Sequence, residues 1–224
     1  MRTIFIGCVA SLILGNVSTA QMPGVGAGAG GGVQRPGRGP GEQSGEDGAA
    51  SVHEEKPEIA ARKAYAAGVK SIDKAAEFET LASQTPNADK KARALEKVGD
   101  AYNRALDQFT EALRNKGDMV DAWSRVGYVH LRLEAYAESI DDYNHALALK
   151  SDLYDAIFHR GEANLAIDRL DEAKIAYLDL ANHEHGLADK LLLSMRKWLA
   201  EHKVAARGMS VAAIDAFEQW LKSR

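Results

Sequence analysis

From Pro57 onward, apolar residues recur every three or four positions, with charged residues between them. In "PEIAARKAYAAGVKSIDKAAEFETLA", Tyr65, Val69, Ile72 and Ala76 fall on one helical face. Pro57 suits a first helical turn, where its missing N–H costs nothing. "SQTPN" stops this helix before Pro86, because proline disfavours helical backbone in the residue it follows. Near the end, "GLADKLLLSMRKWLAEHK" lines up Leu187, Leu191, Met195, Trp198 and Leu199. "VAAIDAFEQWLK" presents Ile214, Phe217, Trp220 and Leu221 behind a Ser210 N-cap. No stretch after Pro57 alternates strictly with β-branched residues, so the expected class is all-α.

The pattern also repeats. At a shift of 34 residues Gly127 falls on Gly161, Tyr102 on Tyr136 and Leu170, and Ala105 on Ser139 and Ala173. Phe109 falls on Tyr143 and Tyr177, and Ala112 on Ala146 and Leu180. A fixed period of this size indicates stacked helix pairs, since one pair cannot bury its own apolar face. Gly127 and Gly161 let paired helices approach to roughly 8 Å. Ser139 and Ala173 are expected opposite them, with Trp123, Tyr143 and Tyr177 filling the space between helices. The turns "EAY" at 134–136 and "DRL" at 168–170 join the two helices of each pair.

These positions resemble the tetratricopeptide repeat family, whose unit is a helix–turn–helix with the pattern W-x2-L-G-x2-Y, then small, aromatic, Ala and Pro positions. Trp123, Val126 and Gly127 start one copy, with His130 in the Tyr place; Ser139, Tyr143 and Ala146 complete it, and Ser151 replaces Pro. Ile157, Arg160 and Gly161 start the next; Ala173 and Tyr177 follow, with Leu180 and His185 in the Ala and Pro places. Upstream, only Ala105, Phe109 and Ala112 match, and residues 88–116 are either a degenerate copy or one long helix. The resemblance implies a right-handed α-solenoid. Its parts would be an N-terminal helix (57–85), a degenerate repeat (86–118), repeats at 119–152 and 153–186, and capping helices (187–224).

In that family the first helices of successive repeats line a concave groove for a peptide or helix. The matching positions are Asp121, Ser124, Tyr128, Leu131 and Arg132 in one repeat, and Asp155, Phe158, Glu162 and Leu165 in the next. A Lys/Asn clamp for a C-terminal carboxylate, found in some members, is absent, because those places hold Ser124, Tyr128, Phe158 and Glu162. Tyr128 and Phe158 are either aromatic anchors or packing within the stack.

The chain before Pro57 is different in kind. Arg2, the apolar run "IFIGCVASLILG" and "VSTAQ" have the order of a secretory signal peptide over residues 1–20, with an uncleaved anchor helix as the alternative. Residues 21–56 hold 11 of the 20 glycines and read as a Gly/Pro-rich, disordered linker. Gly26, Gly28 and Gly31 match G-x-G-x-x-G only inside low-complexity glycine, without the flanking strand and helix that a nucleotide site needs. Cys8 is the only cysteine, so a cleaved chain has no disulfide and no thiolate. A net charge of −4 gives no basic footprint for nucleic acid.

Candidate chemistry is sparse. No G-x-S-x-G, H-E-x-x-H, Walker A or C-x-x-C occurs. His183 and His185 suit a helix end better than a metal site. Asp141, Asp142, Asp152 and Asp155 read as a solvated rim. The expectation is a non-enzymatic adaptor without a cofactor, exported to the periplasm or secreted, not stably inserted in a membrane after cleavage, and binding other proteins of the cell envelope. The alternative is a permanent subunit of an envelope complex, docked through the helices bearing Trp198 and Trp220. Oligomeric state is open.

Overall fold

The described residues, 56–202 and 208–224 of a computed structural model, form eight helices and no strand. They belong to one unit, Ser51–Arg224. The expected signal peptide, and the linker but for Lys56, lie outside the described residues. The helices are α1 (Pro57–Gln84), α2 (Ala88–Asn115), α3 (Val120–Arg132), α4 (Tyr136–Leu149), α5 (Tyr154–Ala166), α6 (Leu170–His183), α7 (His185–His202) and α8 (Val211–Lys222). The pairs α1/α2, α3/α4 and α5/α6 form hairpins. Each second helix also packs on the first helix of the next pair, giving an all-α solenoid closed at its end by α7 and α8.

The 34-residue period is written into the backbone as well as the side chains. Glu134 (φ 61) and Asp168 (φ 64) are the only described non-glycine residues with positive φ. Each sits two residues past the end of a first helix, just beyond its C-cap residue, Leu133 or Ile167. Ala135 N–H donates to the His130 carbonyl and Arg169 N–H to the Asn164 carbonyl, both at 2.9 Å. Glu134 N–H likewise reaches Leu131, and Asp168 N–H reaches Leu165. This is a Schellman motif twice over, ending the helix with a left-handed residue that turns the chain back. Where the second helices end, Lys116, Lys150 and Glu184 adopt φ −148, −149 and −144. Their N–H groups bond to the carbonyls of Ala112, Ala146 and Leu180.

Residues 86–118 are not a helix–turn–helix: α2 runs through them unbroken for 28 residues. Its second half acts as the second helix of a hairpin whose first helix is α1. Gly68 stands against Phe109 as Gly127 stands against Tyr143. The glycine-to-ring spacing is 41 residues in the first pair (109 − 68) and 16 in the second (143 − 127). The 25 extra residues equal about seven helical turns, so both helices lengthen without rotating their faces. The seam of the long hairpin is made of small residues. Ala61, Gly68, Ala75 and Ala82 follow one another at intervals of seven on α1, and all are buried. Ala94 and Ala101, then Ala105 and Ala112, do the same on α2. Ser71 donates to Gln108 across the seam at 2.7 Å. Ala76, expected on this face, is exposed.

Buried side chains gather in two clusters. Ala75, Tyr102, Ala105, Phe109, Val126 and Val129 join α1, α2 and α3. Ile157, Leu180, Leu191, Met195, Trp198 and Phe217 join α5 to α8. Ser139 donates to the Gly127 carbonyl at 2.8 Å, buried against its glycine as expected. Three other placements differ. An added Cβ at Gly161 would meet Leu191 and Ala176 rather than Ala173, because α7 packs directly on α5. Tyr177 leaves the hairpin interior to meet Trp220 of α8 edge-on, with ring centroids 5.4 Å apart. Trp123 is half-buried; it stacks on His145 at 4.6 Å and donates to the Gly117 carbonyl at 2.8 Å, bracing the turn before α3.

Candidate functional site

The first helices α1, α3 and α5, with the start of α7, line one open groove of about 860 Å³. Tyr65 and Ile72 line it from α1, and Asp121, Ser124, Arg125 and Tyr128 from α3. Asp152, Leu153, Tyr154, Asp155, Ala156 and His159 come from the turn before α5 and from α5 itself. Glu184 and Leu187 close the far end. Every turn of α3 that faces the groove brings one of these side chains, because residues three or four apart share a helical face.

The floor is Tyr143, reaching up from α4 between α3 and α5. Its ring touches Gly127, where any side chain would displace it, and stacks near His159 with centroids 6.2 Å apart. Tyr143 is fully buried, and its hydroxyl has no hydrogen-bond partner. Burial, reinforced by the nearby Glu162 carboxylate, pushes this phenol well above the ordinary tyrosine range, so it stays neutral. His159 sits between aromatic neighbours: Tyr128 at 5.7 Å and Phe158 at 4.9 Å, both edge-on. Its Nδ1 lies 3.1 Å from Glu162.

Of the nine positions carried over from the family pattern, Asp121, Ser124, Tyr128 and Asp155 line the groove. The other five do not line it. Leu165 is a core residue, 5 % exposed, and Phe158 packs half-buried against the same core. Glu162 pairs with His159 and accepts from Ser194 of α7 at 3.4 Å. Leu131 is half-buried outside the groove lining. Arg132 forms an ion pair with Glu79 of α1 and lies over the Tyr102 ring, whose hydroxyl donates to the same Glu79 at 2.8 Å. Two packings account for three of them: α5 is covered by α7 where Glu162 and Leu165 lie, and the lengthened α1 brings Glu79 down onto Arg132 at the end of α3. Glu79 has no counterpart in the shorter hairpins, so a 34-residue alignment could not show it.

Arg125, His159, Tyr65 and Tyr154 are groove residues that the family positions miss. Arg125 lies one residue past Ser124, His159 one past Phe158, and Tyr154 one before Asp155, so a stripe one residue wider would have included these three; Tyr65 lies on α1, outside both repeats. Asp142, read as part of a solvated rim, is instead buried and paired with His130 between α3 and α4. His183 ends α6, with Nδ1 at 2.9 Å from the Asp179 carbonyl and its ring stacked on Tyr154 at 5.7 Å.

No protein-family model and no curated protein matches the chain. Among solved structures it is similar to the Arabidopsis OM64 TPR domain, at 14 % identity and a TM-score of 0.41. That similarity covers 75 % of this chain and 98 % of the other.

Proposed function

We propose that this chain is a non-enzymatic adaptor that holds a peptide or helix of another protein in the groove between α1, α3, α5 and α7. One observation carries the reading. The groove is open, and Asp121, Arg125, Asp155 and Glu184 on its walls form no ion pair with any described residue, whereas Glu79, Asp142 and Glu162 beside it all have partners. Unpaired charges around half-buried aromatic rings are what a partner's polar and apolar groups can engage. The tetratricopeptide resemblance of the 119–152 and 153–186 segments supports the same use of this face. Action in the cell envelope rests on the apolar run Ile4–Gly15 and the small residues Ser18 and Ala20. None of the described helices is long and apolar enough to cross a membrane.

Docking through the tryptophans is the weaker reading. Trp198 is 7 % exposed, between Phe217 and His202, and Trp220 is covered by Tyr177, Lys174 and Arg224. The test is in-cell crosslinking and capture with the full chain and with Ser124→Trp, which fills the groove from α3 without touching the core. Circular dichroism first establishes that the variant folds. Loss of crosslinked partners in Ser124→Trp is the expected result; the same partners at the same yield would move the site elsewhere. Mass spectrometry of the recovered chain, beginning at Gln21, tests export.

A further inference from the structure

The ionisable residues around the groove are unbalanced. Asp121, Asp152, Asp155 and Glu184 face a single arginine, Arg125. Asp152 has Lys150 at 3.8 Å, but Asp121, Asp155 and Glu184 form no ion pair with any described residue. Tyr65, Tyr128 and Tyr154 stand among these acids. Beneath them the Tyr143 hydroxyl, fully buried and neutral, has no hydrogen-bond partner. A buried polar atom left unpaired is costly, and a donor from outside would satisfy it.

Resting on the groove reading above, we propose that the partner segment is cationic: an extended stretch of another protein with two Arg or Lys residues three apart, facing Asp121 and Asp155. The spacing follows from the repeat. Asp121 and Asp155 hold the same place in successive first helices, whose axes lie about 8–10 Å apart. Extended chain in the polyproline II form rises about 3.1 Å per residue with about three residues per turn, so residues three apart share a face and cover that distance. Guanidinium and ammonium groups are attracted to tyrosine faces as well as to carboxylates, so the rings add to the preference. A guest N–H that parts the rings above the floor finds an acceptor in the buried Tyr143 oxygen. Both aspartates lie in the first turns of their helices, where negative charge suits the dipole. That role alone predicts a small stability loss on neutralisation and no change in what the groove selects.

The experiment is selection of a random dodecapeptide display library on the full chain, on Asp121→Asn/Asp155→Asn and on Ser124→Trp. The expected result is enrichment of Arg and Lys three residues apart on the wild type, lost on the double aspartate variant. A synthetic copy of a selected peptide should bind that variant about tenfold more weakly, and bind the wild type less well as salt rises. It should also bind Tyr143→Phe several-fold more weakly; equal affinity there would overturn the seating of a donor on the phenol. Peptides without basic enrichment, or basic peptides held equally by the double aspartate variant, would overturn the cationic proposal while leaving the groove reading intact. No selected peptide, or selection undisturbed by Ser124→Trp, would overturn the groove reading itself.

Discussion

Replacing Gly68 by Ala tests whether α1 and α2 are the first hairpin of the stack. A Cβ at Gly68 would lie 2.5 Å from Phe109 Cε1 and 2.7 Å from Cδ1 and Cζ. Phe109 has no exposed surface, so its ring has nowhere to go without moving α2. Overpacking of this severity falls at the upper end of its usual range, about 3 kcal/mol. Ala also favours a helix interior over Gly by about 1 kcal/mol, so the net loss is about 2 kcal/mol. For a unit of this size that lowers Tm by about 4–8 °C. Gly99→Ala in α2 is the internal control, because an added Cβ there meets nothing within 4 Å. It receives only the helical gain, about 1 kcal/mol, and Tm rises by about 2–4 °C. Urea and thermal unfolding of the four variants in a Gly68→Ala/Phe109→Leu cycle would complete the test. The smaller leucine should remove most of the cost, giving a coupling of about 2 kcal/mol. If Gly68→Ala were as stable as Gly99→Ala, the glycine would not seat against Phe109, and the pairing of α1 with α2 at this register would be wrong.

Glu134→Gly and Asp168→Gly should each stabilise the chain by about 0.5–1 kcal/mol, since the left-handed backbone costs L-residues more than glycine loses in the unfolded chain. The two effects should add in denaturant titrations. Arg132→Ala and Glu79→Ala should each cost about 2–3 kcal/mol, because either change strands the other charge in a mostly buried site, and the double variant should cost far less than their sum. The Asp142 hydrogen bond holds His130 above the ordinary histidine value against the opposing effect of burial. Below about pH 6.5 both folded and unfolded chains hold that proton and the stabilisation is complete. As pH rises the unfolded chain gives it up first, so stability falls until the raised folded value is passed. Unfolding free energies at about pH 5.5 and about pH 8.5 should therefore differ in wild type, and Asp142→Asn should shrink that difference.

The helical class, the 34-residue period and the short turns were legible in the chain because each rests on local chemistry. Apolar spacing, Pro57, the Ser210 cap and two glycines speak through residues a few positions away, and a repeat multiplies the signal. Asp121, Ser124, Tyr128 and Asp155 were placed by the tetratricopeptide resemblance, position by position, and they line the groove. What tertiary structure decided lies where the repeat is broken. The seven added turns of α1 and α2 leave helical phase unchanged, so the sequence keeps its periodicity while the register jumps. Only packing reveals Gly68 as the partner of Phe109. Arg132 became structural because the extension delivers Glu79 from 53 residues away. Glu162 and Leu165 were withdrawn from the groove because α7 lies on α5, a contact that no pattern within either helix announces. A helical face says which residues can be buried together; which neighbour covers that face, and how far along it, is settled by the stacking of the whole chain.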